Sequence, residues 1–531
     1  MLTKTQAKAL TVAFLLAGPG ISCSPRDTQN RPTVPSTPAD PRLQEVREFV
    51  IEDVATGITP SLSIAVAHNG QVVWAEAFGW ADKENKIQAT PDTMYRLGSI
   101  SKPITATAVM RLVEAGLVDL DAPVEEYLGG LTLHYYAGTP EEVTVRRVMQ
   151  NRAGLPPHDQ AFYLDEEPER RPFDETVRRY GNVLFEPGWS FIYSNLGYQL
   201  LARVVEEATG KDFPGYVRDS VFTPLGMAAA QVYVAGDELQ GPAATLYYGV
   251  NGQPVPRSTS AYPGSGDVYC SAHDLLRFAM FHLKNHLPDQ AGVLADSTLD
   301  EMHSAGPPSN TFRGDEYGLG WWIDVDDLGS RSIYHGGQTT GLGNFMVLVP
   351  SENLALVILS NTDYDAGRLL HIQGAIRAAL IPGYDFNPWA LAAEDQSETE
   401  SDASEEQAQD EAPTQEFPEE LLGKWEGRIV AYDREIDVSL VLSNDEGARI
   451  RLSGQEECGV DFSVISSVFL FGTFQGSIPT PDIARYNNWV RLAVRHTGNK
   501  LSGQATAVGW REDRQTHCEL SSWIELVRQV Q

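Results

Sequence analysis

A chain of 531 residues is too long for one hydrophobic core, and its 42% of hydrophobic residues predicts several packed globular domains rather than a disordered chain. It carries 40 Lys and Arg residues against 72 Asp and Glu residues, which gives a formal net charge of −32 at pH 7. Because nucleic acids and anionic membrane surfaces attract basic surfaces, this charge argues against a nucleic-acid partner and against adhesion of the folded body to a membrane.

Residues 1–22 have the pattern of a signal peptide. Lysines precede an apolar run at residues 9–17, which is too short for a transmembrane helix. The sequence around Cys23 resembles a bacterial lipoprotein cleavage box, in which the cysteine is lipidated, although Gly20 stands where that box usually carries Leu. We therefore expect export to the periplasm or cell envelope, with Cys23 as a lipid anchor. Ordinary export with Cys23 unmodified is the alternative.

Composition divides the rest of the chain. Residues 23–41 are rich in Pro, Thr, Ser and Asp, which is typical of an extended tether. Residues 42–390 alternate helical and short strand patterns and form the first predicted domain. Residues 391–417 are acidic, contain no Lys or Arg and have almost no large apolar side chains. This composition predicts a disordered, self-repelling linker rather than a metal-binding or docking tail.

Residues 418–531 predict a small antiparallel β-domain. Hydrophobic and polar residues alternate with period two at 424–430, 436–442 and 448–452, and Asn, Asp and Gly turns separate these runs. A sheet or barrel is the expected result. The segment contains no cluster of nucleophile, base or metal ligands, so we expect an accessory domain whose ligand the sequence does not identify.

The cysteines have separate roles in an exported chain. Cys458 and Cys518 both lie in the β-domain and could form a disulfide, which their spacing alone leaves open. Cys270 has no obvious partner and is expected to be a small buried hydrophobe. No Cys-x-x-Cys pair occurs, so the cysteines predict no metal site.

The first motif with chemical content is Ser99-x-x-Lys102, at the start of a helical pattern that Gly116 closes. Residues three apart on a helix share one face. At a helix start, backbone N–H groups and the macrodipole favour negative charge developing on the serine. A lysine whose pKa is lowered by burial could accept the hydroxyl proton. Taken alone, the spacing is more typical of a capping serine and a surface lysine.

The second motif is Tyr193-Ser194-Asn195, in a turn before an amphipathic helix. A phenol can take up or deliver a proton if a nearby ammonium depresses its pKa. The Asn195 amide could hold a substrate carbonyl or orient Lys102. Taken singly, Tyr193 is a packing residue and Asn195 a helix cap.

The third motif is His335-Gly336-Gly337-Gln338, on a predicted strand that precedes a hairpin. Glycines in a strand let another backbone approach closely. The amides of this strand and of Ser99 could together stabilise an oxyanion. By itself the motif is a plain glycine-rich strand.

The three motifs together resemble the motif set of the penicillin-recognising serine hydrolases. The branch concerned contains class C β-lactamases, D,D-carboxypeptidases, D-aminopeptidases and esterases. Phrases at 116–124, 193–198, 224–227 and 317–321 also look like those of the family, and the likeness spans about residues 42–382. The resemblance implies an α/β sandwich, with an antiparallel sheet flanked by helices plus a helical lobe, and here a small antiparallel β-domain follows.

The resemblance also implies a mechanism without metal or organic cofactor. Ser99 would be the acylated nucleophile and Lys102 its proton acceptor. Tyr193 would deliver a proton to the leaving group, and water would resolve the acyl-enzyme. The expected partner is a small-molecule or peptide substrate.

Substrate binding is implied for the other motif residues. Asn195 would orient the substrate or the catalytic lysine. His335 and Gly337 would lie along the substrate, and the amides of Ser99 and Gln338 would form the oxyanion hole.

Two departures from the family bear on the substrate. His335 stands where β-lactamases usually have Lys, and because histidine has a reference pKa of about 6.5 its grip on a carboxylate is conditional. Residues 151–156 replace the usual His-Thr-Ser-Gly-Leu-Pro loop. We therefore expect a D-amino-acid peptide or a small ester rather than a β-lactam.

Two alternatives compete with a serine hydrolase. His282 and His286 lie four apart in a helical pattern and could present two metal ligands, but they lack the glutamate of a zinc-protease motif, so no metal is predicted. The second alternative is an envelope binding protein that has lost turnover and uses the hydrolase fold and the β-domain for ligand or partner recognition.

Overall fold

The computed structural model describes residues 37–165, 171–249, 252–306, 316–325, 330–363, 365–384, 416–484, 486–511 and 516–529. The predicted signal peptide, Cys23, most of the tether and linker residues 391–415 lie outside this part of the chain. Within it, no helix combines the length and apolar character needed to cross a membrane.

The first domain consists of helices and short strands. Its α-helices are α1 (Gln44–Ala55), α2 (Ser101–Glu114), α3 (Val145–Met149), α4 (Phe173–Tyr180), α5 (Asn195–Thr209), α6 (Phe213–Val217), α7 (Thr223–Leu225), α8 (Ala272–His282), α9 (Asp296–Met302) and α10 (Ala366–Leu380). A π-helix, Arg218–Phe222, joins α6 to α7, and 3₁₀ turns occur at Pro41–Leu43, Gly98–Ile100, Val124–Tyr127, Pro140–Glu142 and Pro350–Glu352. Its strands are β1 (Ser61–His68), β2 (Gln71–Asp82), β3 (Ile87–Gln88), β4 (Tyr95–Arg96), β5 (His134–Tyr135), β6 (Phe162–Tyr163), β7 (Asn182–Val183), β8 (Gln231–Val232), β9 (Leu246–Tyr248), β10 (Gln253–Val255), β11 (Ser258–Thr259), β12 (Val268–Cys270), β13 (Glu316–Tyr317), β14 (Trp322–Val325), β15 (Arg331–Thr339), β16 (Leu342–Val349) and β17 (Leu354–Ser360).

A large antiparallel sheet forms the centre of this domain, with the order β13-β14-β15-β16-β17-β1-β2-β3 among the described strands. Its central strands are buried on both faces, and their sequences are therefore nearly continuous apolar runs, as in β17. Along β1, Leu62, Ile64 and Val66 pack in one core with α1 and α10, while Ala65 and Ala67 belong to the core on the α8 side. The predicted α/β sandwich is confirmed.

The helical lobe positions the site. Helix α5 packs against α2, α3 and α6, and strand β15 runs beside the Gly98–Ile100 turn. All three sequence motifs therefore lie where the helical lobe meets strand β15 of the sheet.

The C-terminal domain is an antiparallel sheet with the order β21-β20-β19-β18-β26-β25-β24-β23-β22 among the described residues. After a 3₁₀ turn at Glu419–Leu421 come β18 (Gly423–Ala431), β19 (Arg434–Ser443), β20 (Gly447–Leu452), β21 (Cys458–Gly459), β22 (Asp461–Ile465), β23 (Phe469–Phe474), β24 (Asn487–Thr497), β25 (Lys500–Arg511) and β26 (Thr516–Arg528). Buried side chains such as Trp425, Leu440 and Leu492 fill its interior. The predicted antiparallel β-domain is confirmed.

The predicted disulfide between Cys458 and Cys518 is wrong. Cys458 lies on β21 and Cys518 on β26, and three strands separate them in the sheet order. The Cys458 thiol lies 3.1 Å from the carbonyl oxygen of Gln475, whereas Cys518 is buried in the core of the domain. No disulfide joins these two described residues. Cys270 is buried, as its sequence context predicts.

The described residues of both domains belong to one compact unit, and the domains make direct contacts. Asp482 of the β-domain is buried and forms ion pairs with Arg171 and Arg179 of the first domain. The ring of Trp523 stacks on Tyr136 with centroids 5.1 Å apart. The β-domain is therefore seated on the first domain by charged and aromatic contacts.

Candidate active site

Ser99 lies in the tight turn that leads into α2. The 3₁₀ turn Gly98–Ile100 precedes the helix, so Ser99 stands just before the α-helix and Lys102 in its first turn. Gly98 has a φ of +56°, a conformation that favours glycine. The amide of Leu97 donates to the carbonyl of Val268 at 2.7 Å, which fixes the entry to this turn.

Lys102 is completely buried at the centre of the site. Its Nζ lies 3.0 Å from Oγ of Ser99, 2.7 Å from Oδ1 of Asn195 and 3.1 Å from the carbonyl oxygen of Ser265. Burial lowers the pKa of Lys102 to about 7 against the opposing effect of nearby carboxylates. A neutral amine has two N–H groups and one lone pair. Since Asn195 and Ser265 offer only acceptor oxygens, the lone pair can face Ser99.

Tyr193 adjoins both residues. Its phenol hydrogen-bonds with Ser99, and the Nζ of Lys102 lies 4.5 Å from the centre of its ring. The sequence led us to expect that a nearby ammonium would lower the pKa of the Tyr193 phenol. This expectation is wrong, because burial raises that pKa well above its usual value. The phenol therefore stays protonated near neutral pH and can act as a proton donor.

Asn195 is the first residue of α5, and Ser194 is the helix cap. Oγ of Ser194 accepts from the amide of Gly197 at 3.0 Å. The side chain of Asn195 is thereby available to Lys102 instead of capping the helix. The backbone amides of Ser194 and Asn195 donate to Oδ1 of Asn151 and to the carbonyl of Pro157, at 2.9 and 2.8 Å. The loop that departs from the family sequence therefore supports this motif.

Strand β15 approaches the Ser99 turn through its glycines. A Cβ atom at Gly337 would lie 1.9 Å from the carbonyl oxygen of Leu97. A Cβ atom at Gly98 would lie 3.2 Å from the amide nitrogen of Gln338. The glycines thus bring the amide nitrogen of Gln338 close to the turn that carries Ser99.

His335 is buried on β15, and its ring centre lies 6.4 Å from that of Tyr193. Its Nδ1 lies 2.7 Å from the carbonyl oxygen of Gly336, so this nitrogen carries the proton and donates, while Nε2 lies 3.2 Å from the hydroxyl of Tyr317 and accepts. Burial and the charge of Lys102 lower the pKa of His335 to about 3. The ring is therefore neutral near neutral pH and supplies no positive charge for a carboxylate there.

The three motifs did not include Ser265, Tyr317 or Trp322, although Tyr317 begins the family-like phrase at 317–321. Ser265 accepts from Lys102 through its carbonyl, Tyr317 contacts His335, and Trp322 stacks on Tyr193. The signal for Ser265 was its position between Gly264 and Gly266.

The rival histidine pair does not form a common site. His282 is buried and its Nδ1 lies 3.2 Å from Nε2 of His303, whereas His286 faces Asp296 at 3.0 Å. Among the described residues, no group of three or more His, Cys, Asp or Glu side chains is placed to hold a metal ion.

Comparison with known proteins identifies the family and the fold. The family model Beta-lactamase matches residues 46–380, which is more than half of the chain. Protein flp of Staphylococcus aureus (strain N315) is 25% identical over 324 residues, which are 60% of this chain and 63% of that protein. The chain thus spans less than two thirds of the length of this relative.

Two solved structures show the same fold. A class C β-lactamase has a TM-score of 0.54 at 18% identity, covering 65% of this chain and 97% of its own. The crystal structure of SurE has a TM-score of 0.60 at 20% identity, covering 90% of this chain and 99% of its own. By the match of the family model, the chain belongs to the Beta-lactamase family.

Proposed function

We propose that the protein is an exported serine hydrolase that cleaves an amide or ester bond through an acyl-Ser99 intermediate. The observation that carries this proposal is the surrounding of Lys102. Two oxygen acceptors hold its amine, and Ser99 lies 3.0 Å away on the remaining side. Its pKa of about 7 leaves an amine that can be neutral at physiological pH.

The chemistry follows from the protonation states. Lys102 accepts the proton of Ser99 as Oγ bonds to the substrate carbonyl carbon, and the amides of Ser99 and Gln338 donate to the carbonyl oxygen. The phenol of Tyr193 gives its proton to the leaving group as the amide or ester bond breaks, and the proton held by Lys102 restores the phenol. Water then hydrolyses the acyl-enzyme.

The substrate class follows from His335. Because its ring is neutral near pH 7, it supplies no positive charge for a substrate carboxylate. A lysine at this position would supply one. We therefore favour a small ester or a D-amino-acid peptide over a β-lactam, and we expect no advantage for substrates with a carboxylate beside the cleaved bond.

Labelling of Ser99 tests the proposal directly. The protein is incubated with a fluorescent fluorophosphonate and, separately, with a fluorescent penicillin, and the adduct is mapped by mass spectrometry. We expect a fluorophosphonate adduct on Ser99 that is absent from Ser99→Ala and present in Ser453→Ala, which alters an exposed serine of the β-domain. Binding of a peptide without any adduct or turnover would instead support the catalytically idle binding protein.

The location is a separate proposal that rests on the N-terminal sequence. We expect the mature protein in the membrane fraction, with a lipid on Cys23. Cys23→Ala should release it into the soluble envelope fraction, and mass spectrometry of the N-terminal peptide identifies the modification.

A further inference from the structure

A cavity of about 870 Å³ lies between the two domains. The first domain contributes Trp189, Phe191 and Trp322 to its wall, and the β-domain contributes Phe469, Phe471 and Ala493. Such a cavity has the size and apolar lining of sites that bind small organic groups.

The aromatic wall of the cavity contacts the ring of Tyr193. Trp322 stacks on Tyr193 with ring centres 6.2 Å apart and planes 9° from parallel. The ring of Phe191 lies 5.0 Å from that of Trp322. Since the phenol of Tyr193 hydrogen-bonds with Ser99, only the Tyr193 side chain separates Trp322 of the wall from the nucleophile.

The β-domain contributes through the outside of its sheet. Along β24, Val490, Leu492 and Val494 are buried in the interior, so the alternate side chains face outward. Of these, Ala493 packs with Phe469 against the cluster that contains Phe185 of the first domain. The small side chain of Ala493 leaves room in the wall. The β-domain thus presents an apolar surface toward the cavity.

The charged residues of the wall are already paired. Arg491 lies 2.9 Å from Oε1 of Glu519, and Arg495 forms an ion pair with Glu186. The guanidinium of Arg495 also covers the ring of Trp189 at 5.2 Å from its centre. With both guanidinium charges balanced by carboxylates, the cavity suits an uncharged ligand better than an anion.

We propose that this cavity binds an uncharged aromatic or long aliphatic leaving group of the substrate. The assignment to the leaving-group side rests on the proposed function, in which Tyr193 protonates that group, because Trp322 and Phe191 of the cavity wall contact the ring of Tyr193. An alcohol or amine with a phenyl ring or an alkyl chain would pack between Trp322 and Phe469, and its oxygen or nitrogen would remain next to the phenol.

Esters of one acid with different alcohols test this inference. Acetates of ethanol, butanol, hexanol and 2-phenylethanol all give the same acetyl-Ser99, so differences in kcat/KM arise on the leaving-group side. We expect kcat/KM to rise by about threefold to fourfold for each additional buried methylene. Ethyl esters with lengthened acyl chains should not show this increase. Equal kcat/KM for ethyl and 2-phenylethyl acetate would overturn the proposal.

A bulky side chain that fills the cavity gives a second test, with a matched control variant outside the cavity. Ala493→Trp should reduce the preference for 2-phenylethyl over ethyl acetate by at least about tenfold. Ser439→Trp, which adds the same side chain on β19 outside the cavity lining, should leave this ratio unchanged. An equal loss with both acetates in Ala493→Trp would contradict the assignment.

A binding measurement separates this inference from the proposed function. The uncharged fluorophore N-phenyl-1-naphthylamine should bind Ser99→Ala, and Ala493→Trp in that background should weaken binding at least about tenfold. If the fluorophore binds but the fluorophosphonate does not label the wild type, the hydrolase proposal fails while the cavity is still a binding site. Labelling without fluorophore binding, as when another segment of the chain covers the cavity, would overturn the cavity assignment alone.

Discussion

The carboxylate of Asp159 lies 3.1 Å from Nε2 of His517, which joins a loop near the active site to a strand of the β-domain. The same loop residue exchanges two backbone hydrogen bonds with Glu519, at 3.0 and 2.8 Å. Two residues earlier, the carbonyl of Pro157 accepts from the amide of Asn195. The β-domain is therefore connected to the residue that orients Lys102 through one short loop.

The Asp159–His517 pair predicts a pH-dependent contribution to stability. The hydrogen bond to Asp159 raises the pKa of His517, so the pair stabilises the fold fully below the unfolded histidine pKa of about 6.5 and loses this effect as pH rises through the folded value. Both side chains are partly exposed, so the effect should not exceed about 1 kcal/mol. We expect His517→Gln to lower the Tm at about pH 5.5 and to have little effect at about pH 9. An equal decrease at both pH values would mean that packing, and not charge, accounts for the change.

The pKa of Lys102 predicts the pH dependence of acylation. Because the neutral amine is the base, kcat/KM for a neutral ester should rise with pH and level off above a midpoint near 7. Lys102→Arg remains cationic, so it should lose this inflection and about 10²- to 10⁴-fold of the rate. The measurement is the rate of fluorophosphonate labelling across pH. A flat profile in the wild type would remove Lys102 from the role of base.

Neighbouring glycines of β15 provide a matched pair of variants. Gly337→Ala would place its Cβ 1.9 Å from the carbonyl of Leu97, so the strand must move away from the Ser99 turn. We expect a loss of about 10²- to 10³-fold in acylation, comparable to the loss of one oxyanion-hole donor. Gly336→Ala should be tolerated, because its Cβ would meet the nearest atom at 3.7 Å. Similar labelling rates for the two variants would show that the close approach is unimportant.

The neutral state of His335 predicts how the enzyme treats carboxylates. A peptide ending in D-Ala-D-Ala and its carboxamide should have similar kcat/KM values between about pH 5.5 and 8, because the pKa of His335 is about 3. The comparison requires only product analysis by mass spectrometry. A preference for the free acid of more than about tenfold would show that a cation recognises the carboxylate.

The sequence was sufficient to predict the α/β sandwich, the β-domain and the positions of Ser99, Lys102 and Tyr193. Period-two alternation predicted the β-domain, whereas the sandwich and a shared site for Ser99, Lys102 and Tyr193 were implied by the resemblance of the three motifs to a known family. The direction in which the Tyr193 pKa shifts could not be predicted from the sequence, because it depends on how completely neighbouring segments exclude water from the phenol. The same holds for His335, whose neutrality comes from burial and from Lys102, a residue distant in the chain.

The role of the β-domain surface was also hidden in the sequence. Arg491 and Arg495 alternate with buried valines and leucines, as solvent-facing residues of any exposed sheet would. Only the packing of the two domains shows that this face meets Glu186 and Phe185. The incorrect disulfide has a similar cause, because strand order in a sheet does not follow from the spacing of cysteines.

The outward side chains of β23 and β24 contribute little to the interior that holds the barrel-like sheet together. Mutations at these positions can therefore accumulate in evolution without unfolding the domain. If the cavity binds the leaving group as proposed, homologues with identical catalytic residues would diverge in the molecules they accept through changes in this one wall, and the serine motif alone would not reveal such differences.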